Sequence, residues 1–102
     1  MLFEAKYANA DVDLLYDAVL SLKTREECYR FFDDLCTIKE IQDMASRLKV
    51  ACLLHAKVSS QIIQTQVAAS TSTIGRVNRS LRYGAEGYDI VFDRIKKPTV
   101  RP

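Results

Sequence analysis

The sequence is poor in residues that interrupt helices and in residues that do chemistry. It holds three glycines and two prolines in 102 residues, and both prolines, Pro98 and Pro102, lie in the tail. Tight turns at short intervals, which a sandwich or barrel requires, have little to be built from, and apolar residues recur at helical spacing nearly everywhere. The chain therefore reads as all-α. There is one histidine, His55, and the three cysteines Cys28, Cys36 and Cys52 form no CxxC pair. With no His/Cys ligand cluster, no nucleophile elbow and no phosphate-cradling glycine loop, enzymatic, metal and nucleotide-cofactor chemistry lack the groups they need. The expectation is a non-enzyme without metal or cofactor. No apolar run approaches the roughly 18 residues that span a bilayer, and no basic flank precedes an apolar stretch at the N-terminus. This points to a cytoplasmic protein with reduced, packing cysteines.

Acidic residues are missing from one long stretch. Between Ser46 and Arg82 there are none, while Arg47, Lys49, Lys57, Arg76, Arg79 and Arg82 are basic. Residues 1 to 45 carry five Lys/Arg against ten Asp/Glu, a net of −5, and residues 46 to 102 carry ten against three, a net of +7. A polyanion would meet the second half first. Stacking of single-stranded bases is disfavoured, because Tyr7, Tyr16, Tyr29, Tyr83 and Tyr88 are dispersed and form no basic aromatic platform.

At this length the chain is one domain, residues 1 to 102, near the small end of comfortable burial, and dimerisation would help it. A first helix is expected with Asp11 as N-cap and Leu14, Leu15, Ala18, Val19 and Leu22 on one stripe. Thr24 with Glu27 forms a capping box, in which hydroxyl and carboxylate satisfy each other's orphan amides. It opens a helix with Cys28, Phe31, Phe32 and Leu35 on its apolar face. Thr37 with Glu40 repeats the device and opens a longer helix with the seam Ile41, Ala45, Leu48 and Cys52.

Residues 59 to 82, SSQIIQTQVAASTSTIGRVNRSLR, hold two short amphipathic patterns joined by an apolar turn, as in a helix-turn-helix. Ser59 or Ser60 caps the first helix, whose buried positions are Ile62, Ile63 and Val67. The turn falls at Ala68 and Ala69, and Ser70 caps the second helix. Ile74, Val77 and Leu81, spaced i, i+3, i+7, face the core. That leaves Thr71, Ser72, Gly75, Asn78, Arg79 and Arg82 on or near the solvent face. Short hydroxyl side chains at the helix N-terminus allow close approach to base edges and phosphates in the major groove, and arginines further along meet phosphates. A final helix is expected over Tyr88, Ile90, Val91, Phe92 and Ile95 after a turn at Glu86 and Gly87. A basic tail, residues 96 to 102, follows.

The segments SLKTREECYRFFDDLCTIKEI and STSTIGRVNRSLRYGAEGYDIVFDRI resemble the YerC/YecD branch of the Trp-repressor-like family, over residues 10 to 95. The resemblance implies about six helices and an intertwined homodimer, with a helix-turn-helix at each end of an all-α core. The Trp repressor binds L-tryptophan beside its helix-turn-helix, and Thr37, Arg47, Arg76 and Ser80 match positions of that effector pocket. Val77 stands where the Trp repressor has glycine, and its branched side chain would fill space an indole needs. The stretch between Arg47 and Leu53 is also one residue shorter. Tryptophan is therefore not expected as corepressor. Many helix-turn-helix motifs, the Trp repressor's included, place glycine where this chain has Ala68; a left-handed alanine would cost about 1 kcal/mol, so either the turn differs slightly or the strain is tolerated. Ile62, Gln64 and Gln66 make the first helix of the motif unusually neutral.

The reading that follows is a sequence-specific transcriptional regulator, a homodimer on a palindromic operator of double-stranded DNA. Its DNA-binding residues would be Ser70, Thr71, Ser72, Thr73, Gly75, Arg76, Asn78, Arg79 and Arg82. The competing reading is a helical homodimer that uses the same surface to bind protein, with little affinity for DNA.

Overall fold

The computed structural model describes residues 3 to 95. Among these, six helices and no strand are formed: α1 (Ala10–Leu20), α2 (Arg25–Leu35), α3 (Ile38–His55), α4 (Ser60–Gln66), α5 (Thr71–Tyr83) and α6 (Gly87–Ile95). The all-α expectation is borne out, with the number of helices expected. The basic tail, residues 96 to 102, lies outside the described residues. The helices fall into two units, residues 1 to 38 and residues 39 to 102.

In the first unit, α1 is capped by Asn9, whose side chain accepts from the Val12 amide at 2.9 Å. This replaces the expected Asp11 cap. Asp11 instead lies in the first turn with Asp13, where negative charge complements the positive end of the helix dipole. Leu22 lies beyond the end of α1, so it does not extend the stripe. The α2 capping box forms in modified geometry. Thr24 Oγ1 accepts from the Glu27 amide at 3.1 Å, while Glu27 Oε1 reaches the Lys23 amide at 2.7 Å instead of that of Thr24. Neither α1 nor α2 has a fully buried residue.

The second unit contains the core. Val50, Ala51 and Leu53 of α3 join Ile63 of α4, Val67 after it, Ile74 and Val77 of α5, and Phe92 of α6. Leu53, Ile63, Val50 and Val77 are the largest fully buried side chains, and truncating any of the larger ones would cost about 2–5 kcal/mol. Phe92 stacks on His55, ring centroids 4.5 Å apart, and on Tyr88 at 6.0 Å. His55 thus covers a core aromatic at the end of α3. Burial raises the Cys52 thiol above its usual range, partly offset by the charge of Lys49, in keeping with a packing thiol.

The predicted α3 seam is corrected. Val50 lies nine residues from Ile41, and at about 100° per residue it faces the opposite side of the helix. Ile41 and Cys52 are half-buried and Ala45 and Leu48 exposed, because α4, α5 and α6 share a core with the other face. The helix is apolar on two sides, and spacing alone could not tell which of them the chain itself would bury.

Two chain reversals set where the next elements begin. After α3 the Val58 amide donates to the Leu53 carbonyl and the Lys57 amide to that of Leu54, both at 3.0 Å, with Lys57 at φ 67. This is a Schellman ending with lysine in the left-handed position that glycine normally takes. At the end of α5, Gly84 is the C-cap, its amide donating to the Ser80 carbonyl at 2.9 Å. A Cβ on Gly84 would collide with that same carbonyl oxygen.

These endings make opposite predictions. Lys57→Gly removes left-handed strain and should stabilise the protein by about 0.5–1 kcal/mol in urea unfolding. Gly84→Ala should destabilise it by about 1–3 kcal/mol, since backbone must shift to admit the methyl group.

Candidate nucleic-acid interface

The helix-turn-helix begins at Ser59, whose Oγ accepts from the Ile62 amide at 3.4 Å. Of the two adjacent isoleucines in α4, Ile63 is fully buried and Ile62 is 46% exposed, which corrects the expectation that both face inward. Consecutive residues on a helix point about 100° apart, and Val67 and Ile63, four apart, take the core side.

The turn is also simpler than expected. The Ala69 amide donates to the Val67 carbonyl at 2.8 Å, closing a three-residue turn around Ala68. Among the described non-glycine residues, positive φ occurs at Lys57 and Glu86 and not at Ala68. Of the two outcomes open at Ala68, the turn differs and carries no left-handed strain.

Ser70 caps α5, its Oγ accepting from the Thr73 amide at 3.1 Å. Ile74 and Val77 are 3% and 2% exposed and Leu81 is half-buried, so α5 has the rotation that its apolar spacing predicts. Opposite them Thr71, Ser72, Gly75, Arg76, Arg79 and Arg82 are exposed, while Thr73 and Asn78 are half-buried at the margins. Hydroxyls occupy the first turn and the three guanidinium groups the rest. The ion pairs formed among the described residues lie elsewhere, Arg30 with Glu26 at 3.0 Å and Lys39 with Asp43 at 3.2 Å. Arg76, Arg79 and Arg82 engage no carboxylate of the described chain. A cation held by no internal partner keeps its charge available to an external anion.

Sequence reasoning passed over one element of this surface. Gln64 of α4 donates from Nε2 to Thr71 Oγ1 at 3.2 Å, tying the first helix of the motif to the start of the second. Glutamine seven residues from a threonine carries no sequence signal. Only the turn between them brings them together.

The residues matched to an effector pocket are distributed as follows. Arg76 and Ser80 line a shallow recess of about 330 Å³ together with Arg79, Tyr83 and Gly84. Arg47, half-buried within α3, does not line it, and Thr37 is exposed just before α3 and belongs to the first unit. Val77 belongs to the core and not to the recess wall. Among the described residues no group of three or more His, Cys, Asp or Glu is placed to hold a metal ion, and no helix is long and apolar enough to cross a membrane.

The sequence pattern of the Trp repressor protein family matches residues 10–96. The protein YerC of Bacillus subtilis (strain 168), itself uncharacterised, is 50% identical over 92 residues, which is 90% of this chain and 88% of YerC. Two solved structures superpose closely. A candidate Trp repressor from Staphylococcus aureus has a TM-score of 0.86 at 46% identity, covering 89% of this chain and 91% of its own. A TrpR-like protein from Eubacterium eligens has a TM-score of 0.86 at 43% identity, covering 95% and 98%. On pattern, identity and fold together, the chain belongs to the Trp repressor family of helix-turn-helix DNA-binding regulators, in the branch that includes YerC.

Proposed function

We propose that this protein regulates transcription as a homodimer that binds a palindromic DNA operator, with one α5 helix entering the major groove from each protomer. The observation that carries the reading is the exposed face of α5. Four consecutive hydroxyl residues, Ser70 to Thr73, stand at its start, and three arginines that form no ion pair among the described residues follow along it. In the proposed complex Thr71, Ser72 and Gly75 approach base edges or the nearby backbone, Arg79 and Arg82 meet phosphates, and Ser70, Thr73, Arg76 and Asn78 contribute at the margins. The two half-sites are centred about 10 bp apart, one turn of duplex.

The homodimer is supported by apolar surface that one protomer leaves uncovered. Leu14, Leu20 and Ile38 are 69%, 81% and 70% exposed, and α3 carries its second apolar stripe opposite the core. Surface of this kind is ordinarily closed by another chain. On this reading residues 1 to 102 are one domain, whose N-terminal helices find their burial against a second copy.

No tryptophan corepressor is part of the proposal. The recess beside α5 contains two of the four matched positions, and its wall is cationic. It would serve a phosphate of the duplex as well as it would a small molecule.

A dimer making about 6 to 8 phosphate contacts should show a slope of log affinity against log salt of about −5 to −7 in an anisotropy titration, and a slope near zero would reject the reading. Gly75 separates packing from binding. A Cβ there meets nothing within 4 Å, so no neighbour in the protomer requires glycine. Gly75→Ala should stabilise the fold by about 0.5–1 kcal/mol, through better helix propensity, and yet weaken DNA binding by interposing a methyl group. Unchanged affinity in the stabilised variant would mean that another face of α5 meets the duplex.

A further inference from the structure

The hydroxyl groups at the start of α5 can be accounted for proton by proton. Ser70 Oγ accepts from the Thr73 amide and donates to Thr73 Oγ1 at 3.0 Å. A hydroxyl has a single proton, so the 3.0 Å contact between Ser70 and Ser72 must be donated by Ser72. Ser72 therefore turns its proton inward and offers lone pairs outward. Thr71 has the opposite arrangement. Its Oγ1 accepts from Gln64 Nε2 at 3.2 Å, which leaves its own proton for whatever lies outside. Both Gln64 and Thr71 are exposed, Gln64 on α4 and Thr71 as the first residue of α5.

We propose that Gln64 is a positioning residue that determines base specificity: by donating to Thr71 Oγ1 it sets the Thr71 hydroxyl as an outward donor, selective for base edges that present an acceptor. The inference rests on the DNA-binding reading above. In the major groove, purines offer N7, guanine adds O6 and thymine offers O4, whereas cytosine offers only its N4 amino donor. Thr71 thus discriminates against cytosine at the base it faces. A threonine hydroxyl rotating freely would accept from that amino group as readily as it donates to the other bases. With Nε2 turned toward Thr71, as in this structure, Gln64 removes this freedom; an amide turned over to present Oε1 would restore it.

Sites selected by the wild-type protein from a random duplex pool, and their single-base variants, would be titrated with Gln64→Leu, Gln64→Lys, Gln64→Glu, Thr71→Val and the double variant Gln64→Leu/Thr71→Val. The wild type should disfavour cytosine at one position of each half-site by about tenfold, the worth of one well-directed base contact. Gln64→Leu should reduce this to no more than about twofold, approaching none, at that position alone. Gln64→Lys retains a donor to Thr71 and should keep the discrimination. Gln64→Glu instead accepts the Thr71 proton and should turn the preference toward cytosine. Thr71→Val should abolish the discrimination, and Gln64→Leu should add nothing to it in the double variant. Thermal unfolding, expected to move by no more than about 4 °C for exposed substitutions, monitors folding. Cytosine discrimination unchanged in Gln64→Leu, or affinity lost equally for all base variants, would overturn the role of Gln64 and leave the DNA-binding reading standing. A wild-type protein with no preference among duplex sequences would overturn both.

Discussion

Burial of Ile74 and Val77 in the same core as Leu53 and Ile63 is the constraint on which the rest depends. A rotation of α5 by one residue would exchange Val77 for Arg76 or Asn78. Bringing an unpaired guanidinium into that core would cost several kcal/mol, more than any adjustment of the surface could recover. The rotation is therefore pinned from inside, and the outward face of hydroxyls and arginines follows from it. The same argument supports α4. At seven residues it is too short to persist alone, and it exists because Ile63 and Val67 are buried beneath it.

The long helix α3 has a second obligation. Its C-terminal half contributes Val50, Ala51 and Leu53 to the core, while Ile41, Ala45 and Leu48 run along the opposite side with less cover. A helix that is apolar on two sides is characteristic of one packed on two sides. In the proposed homodimer it is the element shared between the protomer's own core and the surface that meets the partner.

Features governed by a few neighbouring residues could be read from the sequence. Ser70 and Thr24 cap the helices they were expected to cap, Ser59 does so of the two serines offered for α4, and the i, i+3, i+7 spacing identified the buried face of α5. Errors arose where two local solutions were chemically equivalent. Asn9 and Asp11 both suit an N-cap, and Ile62 and Ile63 both suit a core. In each case packing or backbone geometry decided between them. For α3 the spacing found a genuine apolar stripe, but not the one this chain buries by itself. Gln64 was beyond such reasoning, since its hydrogen bond to Thr71 depends on how the chain turns between them. Among the site residues, exposure agrees with expectation for Thr71, Ser72, Gly75, Arg79 and Arg82, because a helix with one face pinned has its other face determined.

The turn around Ala68 has a consequence for how such proteins are recognised. Its closure by the Ala69 amide and the Val67 carbonyl requires no left-handed residue, so any residue without a steric objection can stand at its centre. Glycine at this point is thus one solution among several. A search that demands glycine there would discard this chain and any relative that makes the same bend with another residue, and the breadth of the fold would be underestimated.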